Sequence, residues 1–329
     1  MGARKRHSPR RGSLAYSPRA RAGSMEARIR AWPEKVEGGP RILAHCGFKA
    51  GCVQVVSIDD RDKTPNAGKQ LVSLGTVIAT PPVLVLGMRG YASTSSGMRA
   101  IWDVYSENLP RHMSKLISVQ NAEDAAGRAE RAVGRTAQVF AILAVSPRAA
   151  GLEQKAPYVF EAMVGGGTVR ERHDHVRDLL GQEVRIGDIF EAGTTVDVAG
   201  ITKGKGWQGV IKRWHVKKKQ HKSRKSVREV GSLGPISPQN VMYTVPRAGQ
   251  MGFHQRTEYD KRVMVVGSAE DAAAVNPAGG YKHFGLVKGD YVVLKGSVPG
   301  AYRRLVKMRS QVRNAPAKVK KPNILEIVV

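Results

Sequence analysis

From Ile201 to Arg262 the chain carries fifteen Lys and Arg against three acids, Glu229, Glu258 and Asp260, and the middle of this stretch has neither a helical nor a strand-like apolar period. Its net charge of +12 would drive it apart unless an anionic partner lay against it. The segment therefore reads as a long, glycine-punctuated basic arm, and the most economical partner is a nucleic acid.

The rest of the chain supports this division. Of 329 residues, 54 are Lys or Arg and 27 are Asp or Glu, giving a net charge of +27 and a pI near 10.4, the electrostatic footprint of a nucleic-acid binder. Residues 1–30 are net +8, 31–92 net +2, 93–200 net −2 and 263–329 net +7, so 20 of the excess charges lie in two segments that do not look globular. With 41% hydrophobic residues the chain can bury a substantial core, and its 6% aromatic content suits arms ordered by RNA rather than by a core of their own. The reading is a near-neutral folded body with two basic arms.

Several function classes are disfavoured. Cys46 and Cys52 have five residues between them and no second ligand pair follows, so they read as small buried hydrophobes in a reduced compartment rather than a zinc site. His173 and His175 flank Asp174 on what reads as an exposed helical face, with Val176, Leu179 and Leu180 buried and Gly181 as the stop. No metal site or cofactor is expected. The longest apolar stretch, Thr76–Met88, is too short to span a membrane and is broken by Pro81 and Pro82. The Arg-rich, acid-poor N-terminus has the composition of a transit peptide, but Pro9, Gly12, Pro18 and Gly23 interrupt any amphipathic helix, so it reads as an RNA-penetrating extension.

Short β-type runs recur through the body: Cys52–Ile58, Leu71–Ala79, Val83–Leu86, Val184–Ile189, Thr194–Ile201, Val263–Gly267 and Tyr291–Lys295, bounded by Gly, Pro or Asp. They predict a small barrel or sandwich. Residues 93–180 read as an α/β insert. Met98, Ile101, Trp102 and Tyr105 have helical spacing, Ala122–Arg135 has acids early and arginines late, Gln138–Val145 and Tyr158–Val164 are apolar strands, and Arg170–Leu180 is helical.

Gly204-Lys-Gly206-Trp-Gln-Gly209 is a literal GxGxxG with Glu229 twenty residues beyond it, but the basic run that follows forms no packed crossover helix, so no dinucleotide fold is expected. Walker A and kinase patterns fail as well. The glycines instead allow close approach of backbone to phosphate. Trp207 and Trp214 are candidates for stacking on unpaired bases, or alternatively for anchoring the root of the arm on the barrel. No nucleophile or acid/base constellation appears at a defensible spacing, so no enzyme is expected.

The run GITKGKGWQGVIKRW (Gly200–Trp214), followed by GSLGPISPQNV (Gly231–Val241) and TVPRAGQMGFHQRTEYDKRV (Thr244–Val263), closely resembles the universal L-three family of large-subunit ribosomal proteins. His7–Ala22, His45–Val56 and Ala79–Tyr91 extend the likeness over essentially the whole chain, and the N-terminal extension and Phe253–Arg262 resemble its archaeal and eukaryotic branch, pointing to an archaeal source. The resemblance implies a mainly β fold with an α/β insert: a small Greek-key β-barrel of translation-protein type with long basic extensions. The implied scheme is an N-terminal extension in rRNA (1–40), first barrel part (41–92), insert (93–180), barrel strands (181–200), a central finger toward the peptidyl transferase centre (201–262), last barrel part (263–314) and a tail (315–329).

It further implies direct binding to large-subunit rRNA, early assembly, neighbouring large-subunit ribosomal proteins as partners and a monomer within a cytoplasmic ribosome, with no membrane and no small-molecule substrate. The alternative is a transient regulatory RNA-binding protein. Candidate RNA contacts are Arg4, Lys5, Arg6, Arg10, Arg11, Arg19 and Arg21 in the N-terminal arm. In the central arm they are Lys203, Lys205, Trp207, Lys212, Arg213, Trp214, Lys217, Lys218, Lys219, Lys222, Arg224, Lys225, Arg228, Arg247, Gln250, His254, Gln255 and Arg256. The tip is Gly234, Pro235, Ile236, Ser237, Pro238 and Gln239. Ile236 stands where eukaryotic relatives carry a tryptophan, and Arg224 where they carry a modifiable histidine, so neither aromatic tip contacts nor histidine methylation carry over.

Overall fold

The computed structural model describes residues 12–34, 36–114, 121, 123–237, 239–313 and 320–329. The chain divides into two compact units, one of Met1–Met25 with Ile201–Gln255 and the other of Glu26–Gly200 with Arg256–Val329.

The larger unit is built on antiparallel sheets. Its strands are β1 (Arg41–Ile42), β2 (Ala44–Ile58), β3 (Gln70–Ala79), β4 (Val83–Thr94), β5 (Gly97–Tyr105), β6 (Gln138–Val145), β7 (Tyr158–Gly165), β8 (Glu183–Val184) and β9 (Thr195–Ile201). In the smaller unit lie β10 (Trp207–Gln208) and β11 (Gly249–Gln250), after which come β12 (Gln255–Gly267), β13 (Tyr291–Lys295), β14 (Leu305–Ser310) and β15 (Ile324–Val328). One sheet runs β14-β9-β12-β13-β3-β2-β15, with β14 also paired to β2, and the other runs β1-β7-β6-β4-β5 with β8 on β4. The helices are α1 (Arg111–Ser114), α2 (Ala125–Ala132), α3 (Val169–Asp178) and α4 (Val210–Trp214).

In the seven-stranded sheet, alternation along the strands divides the buried apolar residues between two cores, because successive side chains of a strand point to opposite faces. Val77 and Ala79 of β3 and Tyr291 and Val293 of β13 join one core, while Ile78, Val292 and Leu294 join the other with Val196, Val198, Val306 and Met308. On β14 the face opposite Val306 and Met308 carries Lys307 and Arg309, both buried. Each is compensated. Lys307 reaches Glu26 at 3.3 Å and lies over the Phe160 ring, and Arg309 bonds Asp197 at 3.0 Å directly across the β14–β9 register. Asp197 also accepts the Asp260 backbone N–H at 3.1 Å, and Arg309 donates to the Ala31 carbonyl.

Most expected strands are present, β6 and β13 with the expected limits. Four expectations are corrected. Residues 97–105 form β5, not a helix: paired with β4 from Thr94↔Gly97 to Gly87↔Tyr105, they bury Trp102 and Val104 on one face. Val184–Ile189 is a strand only at Val184, in β8; Ile186–Asp188 forms a single turn of 3-10 helix, which brings Ile186 and Phe190 into the second core. Cys46 is buried but Cys52 is exposed, on the outward phase of β2. The 173–175 face is not wholly exposed either, since His173 is buried with its ring edge-on to Trp102 at 5.6 Å, whereas Leu179 and Leu180 are only half-buried.

His45 of β2 is fully buried and neither ring nitrogen makes a well-formed hydrogen bond. Burial lowers its pKa to about 4, and the backbone at Cys46 and Val184 and the Asp188 carboxylate offset this only in part. Because the unfolded chain binds this proton near pH 6.5 and the folded chain does not, stability is complete above about 6.5 and is lost as pH falls toward 4, by about 3 kcal/mol. Urea midpoints at pH 7 and pH 4.5 are expected to differ less in His45→Leu than in the parent. Removing one member of a buried ion pair leaves the other uncompensated, so Asp197→Ala is expected to cost about 3–5 kcal/mol in chemical denaturation at neutral pH.

Candidate nucleic-acid interface

The smaller unit holds nineteen Lys and Arg and one acid, Glu229. With almost no carboxylates available, its architecture rests on backbone hydrogen bonds. Past Ile201 the KGKG run is laid against the returning chain: Thr202 N–H donates to His254 O (2.9 Å), Lys205 N–H to Met251 O (2.9 Å) and Met251 N–H to Gly206 O (2.9 Å). Gly252 has φ +72°, and a Cβ there would stand 2.0 Å from the Lys203 carbonyl, so only glycine fits. β10 and β11 then pair antiparallel through Trp207↔Gln250 and Gln208↔Gly249.

α4 follows, and its last two residues clamp the root of the arm. The Arg213 guanidinium donates to Gln250 O and Arg247 O, both at 2.9 Å, and the Trp214 indole N–H donates to Arg247 O at 2.9 Å. Burial and the neighbouring Arg19 lower the Arg213 pKa from its ordinary value. The N-terminal segment crosses the same place. Arg19 stacks over Trp214 at 3.9 Å and donates to Arg213 O at 2.6 Å. Ala22 N–H donates to Phe253 O (2.8 Å), and His254 Nδ1 lies 2.8 Å from Ala20 O. Gly12 lies against the Trp214 ring, where a Cβ would come within 2.5 Å of Cε3, and its φ is +71°.

The candidate residues thus separate by exposure. Arg4, Lys5, Arg6, Arg10, Arg11 and Pro238 lie outside the described residues. Arg21, Lys203, Lys205, Lys212, Lys217, Lys218, Lys222, Arg224, Lys225, Arg228 and Arg247 are exposed, and Lys219, Gln255 and Arg256 half-buried. Trp207 is 77% exposed, whereas Trp214 is only 5% exposed. Half-buried Arg19 and Arg213, with buried His254, hold the root together, and the Gln250 side chain is turned onto Gly252 O at 3.0 Å. At the tip, Gly234, Pro235, Ile236, Ser237 and Gln239 are exposed, Ile236 at 91%. Sequence reading did not assign Gly12, Phe253 or Tyr243. Tyr243 is 81% exposed close to the tip, while Gly12 and Phe253 lack any local pattern that would have singled them out.

Among the described residues no group of three or more His, Cys, Asp or Glu is placed to hold a metal ion, and no helix is long and apolar enough to cross a membrane. The chemistry on offer is that of a cationic surface on a backbone-bonded frame.

The family model "Ribosomal protein L3" matches residues 1–328. The large ribosomal subunit protein uL3 of Methanococcus maripaludis (strain C5) is 40% identical over 327 residues, covering 98% of this chain and 97% of its own. That of Methanothermobacter thermautotrophicus is 39% identical, covering 97% and 96%, and that of Methanopyrus kandleri 40%, covering 96% and 89%. Fold, charge and likeness together define a structural protein of the large ribosomal subunit, not an enzyme. The chain belongs to the ribosomal protein L3 family, in its archaeal form, and membership places it in the cytoplasmic ribosome.

Gly12→Ala is expected to push the N-terminal strap off Trp214. In limited trypsin digestion of the RNA-free protein, cleavage after Arg19 and Arg21 should then be clearly faster than in the parent while the larger unit is cut at an unchanged rate.

Proposed function

We propose that the chain binds large-subunit rRNA directly, early in assembly, and shapes the surroundings of the peptidyl transferase centre through its central arm. The observation that carries this reading is the smaller unit's nineteen cations against one acid, most of the described ones exposed, on a chain of the ribosomal protein L3 family. Lys203, Lys205, Lys212, Lys217, Lys218, Lys222, Arg224, Lys225, Arg228 and Arg247 serve as phosphate contacts, and Arg4, Lys5, Arg6, Arg10, Arg11 and Arg21 of the N-terminal arm add to them. Trp207 offers an exposed ring for an unpaired base, while Trp214, Arg213 and Arg19 act by holding the root in shape.

In this reading the finger spans 201–262 and ends in a tip at Gly234–Gln239. The sheet containing β14 closes as a Greek-key barrel, supported by the pairing of β14 with both β9 and β2. Residues 93–180 form the insert, and neighbouring ribosomal proteins complete the surroundings of a single copy.

Replacement of Lys203, Lys205 and Lys212 together by Gln is expected to weaken binding to a large-subunit rRNA transcript. The log Kd against log salt slope should become shallower by about 0.7–0.9 per lost phosphate contact, roughly two to three in all. Filter binding between 50 and 200 mM salt measures it. A parent protein whose RNA affinity did not change with salt would refute direct electrostatic binding.

A further inference from the structure

The larger unit carries a second concentration of positive charge that the basic arms do not account for. Between Asn276 and Arg313 there are eight Lys and Arg and a single acid, Asp290. Lys307 and Arg309 are internal, committed to Glu26 and Asp197, and Arg313 lies over the Tyr259 ring at 3.8 Å. The others face outward to different degrees: Lys282, Lys288 and Arg303 are exposed, Lys295 and Arg304 half-buried.

Two turns bring part of this set to one place. The first runs from Tyr281 to Gly285 and is closed by Tyr281 N–H to Gly285 O (2.9 Å), Gly285 N–H to Tyr281 O (2.9 Å) and Phe284 N–H to Tyr281 O (3.0 Å). Because the Tyr281 and Phe284 rings are buried, Lys282 and His283 between them are forced outward. The second turn, Ala301–Arg304, is tied to β2 by Arg303 N–H to Lys49 O (2.9 Å) and Lys49 N–H to Arg304 O (3.1 Å). The Arg303 side chain then joins the two turns by donating to the His283 carbonyl. Both joined residues are left-handed without being glycine, His283 at φ +65° and Arg303 at φ +66°. Such backbone costs free energy and persists where the surroundings enforce it, characteristically at functional sites.

We propose that Lys282, His283, Arg303 and Arg304 form a second RNA-binding patch, taking the phosphate backbone of duplex rRNA. The patch rests on the rRNA-binding reading above but is separate in sequence from the contacts proposed there. Duplex backbone is the partner that fits: the first turn presents Lys282 outward while its Tyr281 and Phe284 rings are turned into the core, so it offers phosphates a charge and unpaired bases no Tyr or Phe face there. Its hydrogen-bonded turns hold the backbone and the Arg303 side chain in place before binding, so little backbone ordering entropy is lost on contact.

The test is filter binding of the full chain to a large-subunit rRNA transcript, with hydroxyl-radical footprinting of the same complexes. Lys282→Gln should make the salt slope shallower by about 1, and Lys282→Gln with Arg303→Gln by about 2. Both should expose an rRNA duplex segment that stays protected when Lys203, Lys205 and Lys212 are replaced. Because Arg303 also ties the turns together, the Lys282 variant alone decides the matter if the double variant misfolds. Parental slope and footprint in Lys282→Gln, with loss of both in the Lys203, Lys205 and Lys212 variant, would overturn the patch and leave an acidic protein or solvent facing it. A parent protein without salt-dependent binding would instead overturn the wider rRNA reading.

Discussion

The ion pair between Asp197 and Arg309 ties together four separate segments of the larger unit. The two residues face each other across β9 and β14, the Asp197 carboxylate also receives the backbone of Asp260 in β12, and the guanidinium reaches the carbonyl of Ala31. Three strands and the segment leading into β1 are therefore referred to one buried ion pair. The arrangement works because both carboxylate oxygens and all three guanidinium nitrogens are hydrogen-bonded. A buried pair of this kind adds little net stability over an apolar replacement, but it tolerates no other register, since a one-residue slip of β14 would turn Arg309 to the wrong face.

The smaller unit solves the opposite problem. It has to hold a shape while keeping its charge for a partner, and carboxylate counterions would cancel that charge. The two guanidinium groups at its root are satisfied by carbonyl oxygens instead: Arg213 by those of Gln250 and Arg247, and Arg19 by those of Arg213 and Ser13. The π face of Trp214 adds a further neutral surface for Arg19. Hydrogen bonds to backbone orient a guanidinium without neutralising it, so the frame is built and the field is preserved.

Much of this was legible in the sequence, for identifiable reasons. The strands at 71–79, 138–145 and 291–295 alternate or are fully buried, and such patterns are local. The basic arm was legible from charge alone. Residues 98–105 misled because Met98, Ile101, Trp102 and Tyr105 satisfy a helical period by chance, while the Ser95-Ser96-Gly97 turn and the inward pair Trp102 and Val104 belong to a hairpin. The strap of residues 12–22 across Trp214 joins segments about 200 residues apart. No periodicity encodes such a contact, and the single glycine that permits it looks like any other in a basic tail.

The root and the tip of the arm consequently stand in different energetic positions. At the root, Gly12, Arg19, Trp214 and His254 are already engaged, so the conformational entropy of that segment is spent during folding. Beyond it, residues 231–237 carry exposed side chains without a core of their own, and Ile236 and Tyr243 stand in solvent. Apolar surface of that kind gains free energy only when a partner covers it, so ordering of the tip has to be supplied by the contact it makes. A stiff root narrows the directions in which the tip can search and lowers the entropy still to be lost on docking. The strap thus contributes to the proposed binding through the conformations it removes from the unbound arm.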